Sequence, residues 1–229
     1  MNYRRVLVFG AHPDDELTMA NAMAKLASEG VEVYICTPTD GCEGYATPAE
    51  RDTIVQTRRA EAAAADPIMG ITRRYMLGIP DMDLDNRKEN LLRFIEVIRE
   101  VRPDAIFTHG TDENHRDHIA TRDLSLEAAW QAGEPVAARL GEPWVTPYVF
   151  YYKSVIRFIL PRVIYDTTGF SHIRAEALAT QVSQHTLFGA TAAEFHAEAK
   201  RLREENAPCS HTFYMPERFV LHGLPEVAG

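Results

Sequence analysis

Strand-like and helix-like segments alternate through the first two thirds of the chain, and that alternation limits the fold more than any other feature. Val6-Leu7-Val8-Phe9 is an uninterrupted apolar run, the pattern of a short strand buried on both faces. Leu17, Ala20, Met23, Ala24 and Ala27 then recur at helical spacing, and Gly30 supplies a stop. Val31–Thr37 reads as a second strand. Thr47-Pro48-Ala49-Glu50 is a capping box with proline at the first helical position, which predicts a helix over Pro48–Ala65. Arg74–Leu77 is a weaker strand, and Asn86 with Glu89 opens a helix through Val101. Pro103 precedes a strand at Ala105–Thr108, and the loop His109–Asp117 leads into a helix ending near Gln131. Parallel strands need crossovers of helical length, so this order predicts an α/β, Rossmann-like, mostly parallel sheet with helices on both faces. The last third is less regular, with strands at Tyr148–Tyr152 and Val163–Tyr165 and helices at Ser171–His185 and Ala192–Glu205. Gly133–Pro147 is the longest predicted loop, and the 229 residues read as a single domain.

A net charge of −9 argues against a nucleic-acid partner, which requires a basic face, and against an anionic membrane surface. The first apolar run is too short for a signal peptide or a membrane span. Cys36, Cys42 and Cys209 are odd in number and lack CxxC spacing, so they indicate neither a disulfide framework nor a zinc knuckle. The expectation is a cytoplasmic protein.

Chemistry concentrates at two turns. Ala11-His12-Pro13-Asp14-Asp15-Glu16 follows the first strand and precedes the first helix. An aspartate there can serve merely as a helix cap, but capping gives no reason for His12. The second turn is His115-Arg116-Asp117-His118, with histidines at i and i+3 on one face of a helix start. In a sheet of order 3-2-1-4 the first and fourth strands are neighbours, and ligands bind at their C-terminal ends. His12, Asp15 and one downstream histidine then make a two-histidine, one-carboxylate site with open positions, which suits catalytic Zn²⁺. Asp14 remains beside the metal as an acid/base group. Within the second turn one imidazole can bind metal, while the other, partnered by Asp117, faces developing negative charge as an imidazolium.

These residues resemble the LmbE/PIG-L family of zinc-dependent N-deacetylases, marked by an A-H-P-D-D-E turn and an H-P-D-H turn. The first is matched in full by Ala11–Glu16, and the second at three of four positions, with Arg116 in place of proline. Arg58-Arg59-Ala60-Glu61 followed by Met69-Gly70 looks like the family's R-x-x-E helix, and Asp166–Gln184 like a later segment closing with Ser-Gln. The resemblance implies a Rossmann-like fold and hydrolysis of an N-acetyl group on an N-acetylglucosamine-type sugar or glycoconjugate. It makes His12, Asp15 and His118 the metal ligands and Asp14 the general base and then acid. It makes His115 the oxyanion stabiliser oriented by Asp117, and Arg58 a contact to sugar hydroxyls. It also admits a homo-oligomer. Tyr214 with Glu217-Arg218-Phe219 departs by one residue from the family's Tyr-x-Glu-x-Phe motif.

Bland readings stand beside several of these residues. Arg58 and Glu61 are also an ordinary i,i+3 ion pair. Asp81 and Asp83 read as turn residues, Tyr148, Tyr151 and Tyr152 as strand and core residues, and Cys36 and Cys42 as inert thiols. Two rival functions follow from the same first turn. One is a non-haem Fe(II) oxygenase with an H-x-D…H triad, a chemistry housed on all-β scaffolds. The other is a nucleotide- or metal-binding module, although Gly10-Ala11-His12-Pro13-Asp14 lacks the later glycines of a pyrophosphate loop.

Overall fold

The structure is a computed structural model that describes residues 3–153 and 161–216. Its strands are β1 (Arg5–Phe9), β2 (Glu32–Thr39), β3 (Ile71–Ile79), β4 (Ala105–His109), β5 (Tyr148–Lys153), β6 (Arg162–Asp166) and β7 (Ser210–Tyr214). Its α-helices are α1 (Ala20–Ser28), α2 (Ile54–Met69), α3 (Lys88–Val101), α4 (Arg116–Gln131), α5 (Ile173–Ala179), α6 (His185–Phe188) and α7 (Ala192–Glu205). The strands form one sheet in the order β3-β2-β1-β4-β5-β7-β6. The first five are parallel, and β7 lies antiparallel between β5 and β6. The expected α/β fold is therefore present.

Burial explains the order. Val6, Leu7, Val8 and Phe9 of β1 are fully buried, as a strand covered on both faces must be. The Phe9 ring stacks on Phe94 of α3 with centroids 4.9 Å apart. Helices α1, α2, α5 and α7 pack as one group and α3 with α4 as another, one group on each face. The chain runs outward from β1 to β3 and then returns to place β4 on the other side of β1. That reversal opens a crevice beyond the C-terminal ends of β1 and β4. Gly70 ends α2 at φ +69°, and a Cβ there would lie 2.6 Å from the Ala27 methyl, so only glycine fits between α1 and α2.

Several predicted boundaries shift for local reasons. The first helix is preceded by a 3₁₀ turn, Asp15–Met19, because the Asp15 carboxylate accepts the His12 N–H at 2.7 Å and tightens the chain. The capping box at Thr47 and Glu50 forms, but it caps a single 3₁₀ turn, Pro48–Glu50, and α2 starts at Ile54. Strand β3 is longer than Arg74–Leu77. The segment expected as one helix over Ser171–His185 breaks after Ala179, where the buried Gln181 side chain donates to the Glu61 carbonyl at 3.1 Å. Strand β7 escaped the sequence reading altogether; Phe213 anchors it 4.7 Å from Phe107.

The predicted loop Gly133–Pro147 is ordered by one cation. Arg99 of α3, 3% exposed, directs its guanidinium at the carbonyls of Gln131, Ala132, Glu134, Val136, Ala137 and Gly141, at 2.8–3.5 Å. Two of those carbonyls end α4, where the helix dipole favours positive charge.

Candidate active site

His12, Asp14 and Asp15 leave the end of β1 in one tight turn, with the Asp14 N–H donating to the His12 carbonyl at 2.8 Å. Asp14 occupies the position before the 3₁₀ turn, yet its side chain makes no capping hydrogen bond. The second turn arrives from β4, which pairs directly with β1. The first residues of α4 then bring His118 across to the first turn. His12 Nδ1 lies 3.3 Å from Asp15 Oδ2 and 3.2 Å from His118 Nε2, and His118 Nε2 lies 3.2 Å from Asp15 Oδ1.

These three donors fit a divalent metal on two grounds. Donors each 2.0–2.1 Å from a tetrahedral Zn²⁺ are about 3.3 Å apart, close to the spacing of the two nitrogens, and Asp15 turns one oxygen to each of them. The outer nitrogens of both histidines also face carboxylates, His12 Nε2 at 3.2 Å from Asp117 and His118 Nδ1 at 2.9 Å from Glu113. That arrangement turns both inner nitrogens toward one point, where only a cation or a proton relieves their mutual repulsion. Burial lowers the pKa of each histidine, but carboxylates outweigh it. Asp117 and Asp15 hold His12 up to about 10, and Asp15 and Glu113 hold His118 up to about 9. Asp15 goes the other way: burial raises it, and His109, His118 and His12 together hold it well below the usual carboxylate range.

Asp14 stands outside this triangle. Its Oδ1 is 2.9 Å from Arg58 Nη2, and the two side chains are 13% and 4% exposed. Burial pushes the Asp14 pKa up, Arg58 pulls it down, and Asp15 raises it again, with a raised carboxyl as the outcome. Such a carboxylate holds a proton more readily than a surface aspartate does. Arg58 makes this contact because the loop after β2 closes over it. A Cβ on Gly41 would lie 2.7 Å from Arg58 Cδ, and one on Gly44 would lie 2.6 Å from Nη1. Asp81 fixes that loop by accepting the N–H groups of Gly41 at 2.9 Å and Glu43 at 3.1 Å. Gln184 holds it from the other side through the Gly44 carbonyl at 2.8 Å.

Three expectations change. Arg58 does not pair with Glu61, whose carboxylate instead accepts the N–H and O–H of Ser183, each at 2.7 Å. Nor is Asp117 the partner of the His115 side chain. Its Oδ2 is 3.2 Å from His12 and 2.8 Å from the Met82 N–H, but 3.9 Å from His115 Nδ1. His115 caps α4, its Nδ1 accepting the Asp117 N–H at 3.2 Å, a contact that needs an unprotonated Nδ1 and so leaves the ring hydrogen to Nε2; the side chain lines the cavity. Burial, then His12 and His118, lower its pKa, which opposes the imidazolium expected from the sequence.

The cavity beside these groups is about 420 Å³, and its lining includes His12, Asp14, Arg58, His115 and His118 together with Asp81 and Arg174. Asp81 thus belongs to the site rather than to an idle turn. His109 was unassigned in the sequence. It is buried behind Asp15 at 3.6 Å, its Nε2 accepting the Ala11 N–H at 3.0 Å and lying 3.0 Å from the Tyr152 hydroxyl. Tyr151 and Tyr152 are core residues as expected. Cys36 is buried, and burial holds the Cys42 thiol up to about 11. Arg116 is exposed, Tyr214 ends β7, and Glu217–Phe219 lie outside the described residues.

The profile of the PIG-L family, GlcNAc-PI de-N-acetylase, matches residues 7–129, more than half of the chain and the whole of both turns. The chain belongs to the PIG-L family. PIG-L deacetylases are metal-dependent, and among the described residues His12, His115 and His118, and Asp15, His109 and His118, form ligand-spaced groups. A 1D-myo-inositol 2-acetamido-2-deoxy-alpha-D-glucopyranoside deacetylase of Streptomyces avermitilis is 31% identical over 75% of the chain. The alignment spans 66% of that relative's length. An N,N'-diacetylchitobiose deacetylase from Pyrococcus horikoshii superposes with a TM-score of 0.80 at 22% identity, covering 98% of this chain and 88% of that one. A 4-carboxy-2-hydroxymuconate hydratase from Pseudomonas putida has a TM-score of 0.74 at 20% identity, covering 99% and 98%. The last two share the fold, and the hydratase shows that the PIG-L fold alone does not set the reaction. The parallel α/β sheet also removes the all-β scaffold on which the oxygenase reading depended. No helix of the described residues is long and apolar enough to cross a membrane.

Proposed function

We propose that this PIG-L chain is a zinc-dependent N-deacetylase that removes the acetyl group from an N-acetylglucosamine-type sugar or glycoconjugate. The observation that carries the reading is the pairing of two features: a facing triangle of donors from His12, Asp15 and His118, and an acid/base group outside that triangle, Asp14, held beside it by Arg58. A binding module needs the first feature and has no use for the second. Two carboxylates at this crevice also repel the phosphates a nucleotide module would have to hold.

Zinc in that triangle supplies Lewis-acid polarisation and a water acidic enough to act as a nucleophile near neutral pH. Asp14 takes the proton of the attacking water and returns it to the departing amine, so one carboxylate serves as base and then acid. With Arg58 on Oδ1, the proton passes through Oδ2. His115 donates from Nε2–H to the acetyl oxygen as negative charge builds there, which a neutral imidazole can do. Asp117 orients His12 rather than His115. Arg58 lines the cavity, so a sugar hydroxyl entering it meets the same guanidinium that holds Asp14.

The test is release of free amine from a panel of N-acetylated sugars and pseudodisaccharides by zinc-loaded protein. Turnover lost in Asp14→Asn at equal zinc content supports the reading. Absence of amine from every member, with zinc bound stoichiometrically, rejects it.

A further inference from the structure

Both histidines of the donor triangle are backed by a carboxylate, and the two carboxylates come from one short segment. Asp117, fully buried, faces His12 Nε2, while Glu113, in the loop between β4 and α4, faces His118 Nδ1 at 2.9 Å. The other Glu113 oxygen lies 3.8 Å from His109 Nδ1, on the ring stacked against His118 with centroids 4.2 Å apart. Glu113 therefore spans the two imidazoles that flank Asp15. The side chains of Glu113 and His118 are 12% and 15% exposed, so solvent competes weakly for the contact.

We propose that Glu113 is a positioning residue of the metal centre: it holds the His118 ring in the orientation and tautomer that point Nε2 at His12 and Asp15. The inference rests on His12, Asp15 and His118 being the metal ligands. The physical ground is the histidine ring itself. Turning it about Cβ–Cγ puts a ring carbon where each nitrogen stood, so that Nε2 leaves His12 and Asp15, and an unpartnered His118 has no reason to keep its hydrogen on Nδ1. A carboxylate 2.9 Å from Nδ1 fixes the hydrogen there and makes Nε2 the electron-pair donor. No motif spacing announces this role. Glu113 lies five residues before His118 in a turn, and the contact exists only because the turn folds back over the start of α4.

Zinc affinity, measured by competition with a chromophoric chelator at fixed pH, tests the assignment without reference to turnover. Loss of such a partner typically weakens metal binding about 10–100-fold, and Glu113→Ala should fall in that range. Glu113→Gln keeps an acceptor oxygen of the same reach but no charge, so its loss should be smaller, up to about tenfold. The rise in Tm on adding zinc should shrink in the same order, because ligand stabilisation follows affinity. A side chain that merely packs the loop would lower Tm with and without zinc and leave the zinc dissociation constant alone. An unchanged constant in Glu113→Ala, with binding abolished in His118→Ala, overturns this proposal and spares the ligand assignment. Unchanged binding in His118→Ala overturns both.

Discussion

Replacing Asp14 by asparagine keeps the shape of the side chain and removes the charge on which the proposed chemistry turns. Loss of a positioned acid/base group lowers kcat by roughly 10²–10⁴. The structure adds a cost in stability. Asp14 and Arg58 are 2.9 Å apart with side chains 13% and 4% exposed, and removing one partner of a buried pair costs about 3–5 kcal/mol. Burial and the neighbouring Asp15 already oppose the Asp14 charge, so the lower end, about 3 kcal/mol, applies. At 2–4 °C per kcal/mol for a chain of this size, Tm should fall by about 6–12 °C. The assay must therefore be run well below the melting range of the variant, at zinc content matched by metal analysis, with amine release as the signal. The expected result is full zinc occupancy, a lowered Tm and kcat down at least about 100-fold. A double-mutant cycle separates the two effects: Arg58→Met should cost much less stability in the Asp14→Asn background than in the wild type. Equal turnover at matched zinc would remove Asp14 from the mechanism, and strictly additive stabilities would remove the ion pair.

Four further outcomes bear on the site and the fold. Arg58→Lys keeps a charge but not the planar fork, so it should raise KM and also lower kcat, with kcat/KM down roughly 10–100-fold; an unaffected kcat would mean that Arg58 does not hold Asp14. Gly44→Ala, whose methyl would crowd Arg58 Nη1, should reproduce part of that loss. Arg99→Met strips six carbonyls of their donor and should cost about 3 kcal/mol or more, read in a urea titration, whereas a change under about 1 kcal/mol would make the clamp dispensable. In metal-free protein His12 and His118 have pKa values raised to about 10 and about 9, so their stabilising protons are fully in place below about pH 6.5 and leave as pH rises through 9 to 10. Chelator-treated protein should accordingly lose Tm across that window, and zinc affinity should rise with pH from 6 to 8 as zinc displaces those protons; a flat response in both would contradict the proton-for-metal exchange.

The parallel sheet was legible because β1, β2, β4 and the helices between them carry their own period and their own stops. The meeting of the two turns was legible for the same reason, since it follows from strand order alone. Strand β7 was not: Ser210-His211-Thr212-Phe213-Tyr214 has no bounding pattern of its own and becomes a strand by pairing with β6 and β5. Ser171–His185 has helical composition throughout, yet the side chains of Gln181 and Ser183 find partners on Glu61 of α2 and interrupt it. In both cases tertiary contacts decided what local preference left open.

Asp117 shows where the same limit falls inside the site. Its nearness in sequence to His115 suggests a pair, but residues two apart on a helix do not face each other. At the start of α4, His115 caps the helix and stays half-exposed, whereas Asp117 turns inward to full burial beneath His12. His115 and His118, three apart, do share a face, with ring centroids 5.0 Å apart. Helical spacing thus supported the histidine pair, whereas the expected His115–Asp117 pair came from nearness in sequence and is not the one that forms. Asp81 and Glu113 offered no such handle. Each is a lone acid in a turn, and its partner comes from another element: the loop after β2 for Asp81, the first turn of α4 for Glu113. A sequence displays the faces and the ends of its own helices and strands, and it reveals a catalytic group when that group sits on such a face or in the turn that joins two of them. The groups that hold a site in shape sit where elements meet, and only their meeting identifies them.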